Sequence, residues 1–374
     1  MFLKICNTIL ALIIVIVHID AFPPIRNDNV PKPRLLLDKY QSYDDVMEFL
    51  DVVGEYYHPW VSLVDVGRSY ENRHLKTIVI SNSDGRRGKN VIFMDAGLHA
   101  REWITPAVAL YVVDQLLGEF EENAHLLKDY DWIILPLANP DGYEYSRNAD
   151  KMWRNTRSPN VKDCFGTNLN RNFDVHWSEG YSELLDPCSE HYAGSKPFSE
   201  SESVAIRDLM LDLVRTGQGK MYLSLHSHNE SIYYPWVYES VQTKNHQDLH
   251  EIADYGAKAM QTSYQTDFKA RQGHQYGTIG GSSLDYAYKI GIPLSFVLEL
   301  SGRQHGFFPP PEYIETLVKE SWAGIRAMAE KAIEKYPLID QTDQQQQHDK
   351  SAASSLVSTS IYIIFVCIGQ FVLI

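Results

Sequence analysis

Five short runs of the chain are apolar almost without a break: Lys76–Ser81, Asn90–Ala96, Trp132–Leu137, Lys220–Leu225 and Pro293–Leu300. A strand with one wet face alternates apolar and polar positions, so such runs predict strands covered on both sides. Between them lie longer amphipathic stretches at Tyr43–Tyr57, Pro106–Phe120, Ser201–Thr216, Gln247–Tyr264 and Glu312–Lys335. Apolar positions three and four apart gather on one face of a helix. Strands interleaved with helices predict a single α/β domain, with a mixed and mostly parallel sheet carrying helices on both faces. No repeat and no linker interrupts residues 37–339, the expected domain.

The two ends carry a different pattern. Ile9–Val17 is a continuous apolar run behind Lys4, too short to span a bilayer, and predicts a signal peptide over residues 1–21 with cleavage near Ala21. The alternative is a signal anchor that stays attached. Residues 22–36 form a short leader. At the other end a polar stretch (340–350) precedes the small residues Ser351-Ala-Ala-Ser-Ser355 and an apolar tail, Ile361–Ile374. That order is the one used for attachment of a glycosylphosphatidylinositol anchor over 351–374; a short transmembrane anchor is the other reading. A cell-surface or secreted protein of the secretory pathway is expected, tethered to the membrane by its C-terminus.

Composition narrows the partners. The 374 residues are 44% apolar and 12% aromatic, enough for a large core. The formal charge is −14 with no concentrated Lys/Arg block, which argues against a nucleic-acid partner. Of four cysteines, Cys6 and Cys367 belong to the end segments, leaving Cys164 and Cys188. A secreted context pairs those two as one disulfide; no further Cys or paired His stands nearby to make them a second metal site.

The candidate chemistry sits where the apolar runs end. His99 and Glu102 follow the run that stops at Ala96, and His226 follows the run that stops at Leu225. Two imidazoles and a carboxylate are the ligand set of a catalytic zinc whose fourth position stays open. Glu299 is the one carboxylate inside the apolar run Phe296-Val-Leu-Glu-Leu300. Such a group is costly to bury unless it has a partner or a task.

These residues lie in an ordered series of motifs that resembles the zinc carboxypeptidase A/B family. The series includes Val66-Gly-Arg-Ser-Tyr-Glu71, His99-Ala-Arg-Glu-Trp103, Asn139-Pro-Asp-Gly-Tyr143 and Met152-Trp-Arg154. It continues through Gly166-Thr-Asn-Leu-Asn-Arg-Asn172, Leu223-Ser-Leu-His-Ser227 and Ser295-Phe-Val-Leu-Glu-Leu300. It spans Leu37 to Ile333, nearly the whole expected domain. The resemblance implies one Zn2+ per chain held by His99, Glu102 and His226, with Glu299 as general base toward a zinc-bound water. It implies Arg154 as the group that stabilises the oxyanion. Asn170 and Arg171 would grip the terminal carboxylate of a peptide or protein substrate, with Arg101 as an accessory contact. His228, where the family commonly has Tyr, is assigned to the substrate wall. A disulfide in the Cys164–Cys188 region is implied as well. The reading is a metallocarboxypeptidase, monomeric by default; the alternative is a catalytically weak zinc-binding ectodomain that binds peptide C-termini.

Two departures from the family pattern matter. Digestive members carry a large pro-domain, of which residues 22–36 are too short to be an example; with the C-terminal anchor, this layout is similar to that of carboxypeptidase O. The segment before Gly280-Gly-Ser-Ser-Leu-Asp285 is shortened and lacks the family's mobile-loop tyrosine, Tyr276 aligning with a tyrosine that precedes that loop. The change bears on affinity and specificity more than on the chemistry. Leu284 falls at the position that selects the C-terminal side chain, and implies an apolar or aromatic preference. Its other reading is a core residue shifted by the short segment. Asn229-Glu-Ser231 is a glycosylation sequon expected to stay unmodified, because a glycan there would obstruct the cleft.

Overall fold

The computed structural model describes residues 26–338, apart from positions 28 and 276 and the side chain at 162. The expected signal peptide, the segments 340–350 and 351–374, and Tyr276 lie outside the described residues. The first half contains α1 (Tyr43–Tyr56), β1 (Val61–Arg68), β2 (His74–Ile80), β3 (Asn90–Asp95), α2 (Ile104–Gly118), α3 (Phe120–Asn123), β4 (Tyr130–Leu135) and α4 (Pro140–Asn148). The second contains α5 (Ser201–Arg215), β5 (Gly219–Ser227), β6 (Ser231–Tyr234), α6 (His246–Tyr264), β7 (Lys269–Gln272), α7 (Ser283–Ile290), β8 (Leu294–Leu300) and α8 (Ile314–Lys335).

All five expected strands and all five expected helices form, displaced by a few residues at their ends. Local chemistry explains several boundaries. Ser42 caps α1 through a capping box: its hydroxyl accepts from the Asp45 N–H while the Asp45 carboxylate accepts from the Ser42 N–H. Asn139 caps α4, taking the Gly142 N–H on its side-chain oxygen, with Pro140 in the first turn where its missing N–H costs nothing. α2 is buried on nearly every side, since it lies between the sheet and α8. No helix among the described residues is long and apolar enough to cross a membrane.

The strands make one eight-stranded sheet in the order β1-β2-β4-β3-β5-β8-β6-β7. The central pairs β4/β3, β3/β5 and β5/β8 are parallel, while β1/β2, β2/β4 and β6/β8 are antiparallel. Period-two alternation divides the central strands between two cores. Ile92, Met94, Leu223, Leu225, Phe296 and Leu298 pack with α1, α2, α6 and α8 on one face. Val91, Phe93 and Tyr222 pack with α5 and α7 on the other.

This topology makes the site. From β3 the chain steps through α2 to β4 on one side, whereas β5, on the other side of β3, leads onward to β8. The direction of crossing therefore reverses between β3 and β5, and a crevice opens beyond their carboxyl ends. His99 lies just past β3, His226 near the end of β5, and Glu299 near the end of β8.

Candidate active site

Within β5, Tyr222, Ser224 and His226 share one face of the strand, and His226 stands in register with Glu299 on β8. On β8, Leu298 points into the core beneath α8, so Glu299 points to the opposite face, beside His226. His99 and Glu102 arrive on the turn between β3 and α2. That turn passes through Gly97 at φ +67, where a Cβ would stand 2.8 Å from Leu137 Cδ1, so only glycine fits. The turn is pinned by the Ala100 N–H donating to the Arg154 carbonyl at 2.9 Å and the Thr105 N–H donating to the Glu102 carbonyl at 3.0 Å.

The three expected ligands converge. His99 Nδ1 lies 2.8 Å from Glu102 Oε1, and His226 Nδ1 lies 3.0 Å from both His99 Nδ1 and Glu102 Oε2. All three side chains are at most 4% exposed. Two imidazole nitrogens facing each other at this distance need a proton or a metal ion between them. Two nitrogens bound at tetrahedral angles to zinc stand roughly 3.3 Å apart, close to what is observed. The donor set therefore fits the ion. Without an ion the two imidazoles differ: burial, aided by the Arg154 guanidinium, holds His99 well below its ordinary pKa, whereas at His226 burial is outweighed by Glu102 and the pKa is raised. Burial alone would raise the Glu102 carboxyl, yet His99 and His226 hold it well below the carboxylate range. A bare imidazole and an ionised carboxylate are what a cation requires of its ligands.

Around this centre lies a cavity of about 400 Å3. Glu299 opens into it, and burial, with Glu102 adding to it, pushes its carboxyl up to about 7; His226 and the arginines oppose the rise. Arg154 Nη1 stands 3.6 Å from Glu102 Oε1. Asn170 and Arg171 come from a short turn, Leu169–Arg171, that presses against α7: Asn170 Oδ1 accepts from the Ser283 N–H at 2.9 Å. Arg171 Nε is buried with no partner among the described residues. Arg101 is engaged at the cavity rim, where it pairs with Glu190 at 2.6 Å, donates to the Met152 carbonyl and covers the Phe307 ring at 4.5 Å.

Leu284, the first-turn residue of α7, is 1% exposed and does both things open to it in the sequence. It lines the cavity, and it packs with Tyr233, Val237, Ile279 and Val297. His228 lies just past β5, lines the same cavity and meets Phe307 edge-on at 4.6 Å. Cys164 and Cys188 form a disulfide across 24 positions, Cα to Cα 5.1 Å. It braces the segment that carries Glu190 and His191 to the rim.

Several lining residues carried no sequence signal. Tyr233 stands opposite Val297 in the antiparallel β6/β8 pair, a neighbour visible only once that pairing is known. Asn229, by contrast, was placed beside the cleft by its sequon; it lies at the cavity and donates its side-chain amide to the Tyr233 hydroxyl at 2.7 Å. Glu190 could have been suspected only from its place two residues after Cys188.

A doubly wound sheet with a two-histidine, one-carboxylate centre at its switch point defines the class of protein that binds a metal ion at the carboxyl ends of its strands. Residues 46–324 match the family described as zinc carboxypeptidase. The chain is similar to carboxypeptidase B of Helicoverpa zea, 38% identical over 313 residues that cover 80% of this chain and 72% of that protein. To carboxypeptidase O of Bos taurus it is 32% identical, over 83% of this chain and 84% of that protein. Among solved structures it superposes on carboxypeptidase A from Helicoverpa armigera with a TM-score of 0.77 and 32% identity, covering 82% of this chain and 77% of that one. Bovine thrombin-activatable fibrinolysis inhibitor, solved with a tick carboxypeptidase inhibitor, gives 0.74 and 33%, covering 80% and 99%. The chain belongs to the zinc carboxypeptidase family, and it is a metallocarboxypeptidase that hydrolyses C-terminal peptide bonds.

Proposed function

We propose that the enzyme removes apolar or aromatic C-terminal residues, with Glu299 as general base and Asn170, Arg171 and Arg154 binding the reacting groups. One observation carries the preference. Beside Asn170 and Arg171, the cavity wall is built from Leu284, Val237, Val297 and Tyr233, with no charged side chain among them. A basic or acidic C-terminal side chain would lose its hydration there without gaining a partner.

The terminal carboxylate of the substrate sets the register. A guanidinium matches it with two parallel bonds, and Arg171 has a buried Nε to spare. Bound Zn2+ supplies Lewis acidity, lowering the pKa of a water toward neutrality and polarising the scissile carbonyl. Glu299 takes a proton from the attacking water and delivers it to the leaving amine, a task suited to a carboxyl pushed toward neutral pH. Arg154, fixed beside Glu102, donates to the oxygen that gains charge as the carbonyl is attacked. Arg101 and His228 touch the substrate further out. The Cys164–Cys188 bridge suits an oxidising compartment and supports action in the secretory pathway.

Release of C-terminal Phe, Leu, Arg or Glu from matched blocked dipeptides tests the reading, with and without a chelator and beside Glu299→Gln. Chelator-sensitive release of Phe or Leu is expected, lowered about 10^2–10^4-fold in the variant with zinc retained. Turnover of Arg or Glu alone would overturn the apolar preference and leave the chemistry intact. A chain that binds zinc and turns over none of the four would be a binder of peptide ends.

A further inference from the structure

The two histidine ligands lean on different supports. His226 Nε2 lies 3.2 Å from Ser224 Oγ, and that hydroxyl donates to Asp95 Oδ1 at 2.6 Å. A carboxylate thus stands behind His226, one hydroxyl removed. His99 Nε2 lies 3.1 Å from Asn168 Oδ1, an amide oxygen with no charge behind it.

Backbone groups settle the orientation of Asn168, which is fully buried. Its Oδ1 faces the Asn170 N–H at 3.1 Å, and its Nδ2 faces the Glu190 carbonyl at 3.1 Å. A backbone N–H can only donate and a carbonyl can only accept, so the amide cannot be flipped. The oxygen turned toward His99 requires a hydrogen on Nε2. Nδ1 is then bare, and it is Nδ1 that points at Glu102 and His226. Groups behind metal-bound histidines fix the tautomer, and negatively charged ones also raise the basicity of the ligand. Here the first effect is present and the second is missing. The same amide also ties the zinc ligand to Asn170 on one side and to the Glu190 segment on the other.

We propose that Asn168 is a positioning residue of the metal centre: it presents His99 Nδ1 to zinc and, being neutral, leaves the ion less tightly held than a carboxylate at this place would. The proposal rests on zinc ligation by His99, Glu102 and His226. The test is zinc affinity of the metal-stripped full chain, measured by competition with a chromophoric chelator, in wild type, Asn168→Ala and Asn168→Asp. Asn168→Ala is expected to bind zinc about 10–100-fold more weakly, and Asn168→Asp about tenfold more tightly. The metal-free melting temperature of Asn168→Asp should fall, because its second oxygen would meet the Glu190 carbonyl where an N–H now donates. A merely structural residue would not move stability and zinc affinity in opposite directions. Zinc binding by Asn168→Ala within about twofold of wild type, or binding by Asn168→Asp weaker than wild type, would overturn the proposal. Should the alanine variant fail to fold, the aspartate variant decides alone. A wild-type chain that takes up no zinc would refute the metal centre itself, which is a separate result.

Discussion

Glu202 is a buried carboxyl away from the residues that line the cavity. It lies in the first turn of α5, is 1% exposed, and has one oxygen without a partner among the described residues; the other accepts from the Ser201 hydroxyl at 3.1 Å. A helix N-terminus favours its anion by about 0.3–1 kcal/mol. Burial costs an anion more than that, and Glu200 and Asp141 are nearby negative charges. The carboxyl is accordingly pushed up to about 8 from an ordinary 4.5. Because the folded state holds this proton more tightly than the unfolded chain, its stabilising effect is full below about pH 4.5 and is lost as pH rises toward 8. Glu202→Gln, which stays neutral, should melt higher than wild type at pH 8, by on the order of a few kcal/mol, with the difference vanishing near pH 4.5. Melting curves across that range check it; an equal effect at both ends would mean that titration is not the cause.

At the scale of elements, the turn before α7 packs against the backbone of Arg171, the residue proposed to bind the substrate carboxylate. Gly281 sits at φ +79, and a Cβ on it would lie 2.2 Å from the Arg171 carbonyl oxygen. Gly281→Ala should cost about 1–3 kcal/mol of stability and shift Arg171. If Arg171 grips the substrate as proposed and moves no proton, KM should then rise more than kcat falls; steady-state kinetics on a dipeptide reads this. Legibility in the sequence followed burial. β3, β5 and β8 are apolar on both faces and stood out, and the residues at their ends could be read with them. β1 is a half-exposed edge strand, with Val64 43% exposed, and β6 and β7 are four residues each, so none offered a run to detect. α4 is dominated by polar residues and α7 has eight residues, too few for periodicity to emerge. Tyr233 and Val237 entered the cavity through elements that the sequence did not announce. Asn168 was legible as a residue and not as a role, because its meaning lies in which backbone groups it faces.

The whole molecule is held across its middle by the ligand set. His99 and Glu102 belong to the first half of the chain and His226 to the second, and they meet over the parallel β3/β5 pair. An ion bound only by the folded chain stabilises it by about 2.7 kcal/mol when free metal exceeds Kd a hundredfold. Stripping zinc with a chelator should therefore lower Tm by several degrees, and added zinc should restore it. The same treatment of a His226→Ala chain should change Tm little. An unchanged Tm in wild type would mean that folding and metal binding are uncoupled.

The pairing of His226 with Glu299 makes activity a matter of parity. Along β8 the even-numbered positions feed the core under α8, while Val297 and Glu299 on the other face line the cavity. A single residue inserted ahead of Glu299 would exchange the two sets, sending the carboxyl into hydrocarbon and an aliphatic side chain into its place. Two inserted residues would restore the facing and move the carboxyl along the strand by about one repeat, roughly 7 Å. The loops around the cleft are under no such rule and can lengthen or shorten without exchanging faces. The strands beneath them count in twos, and that arithmetic confines variation in this enzyme to its rim.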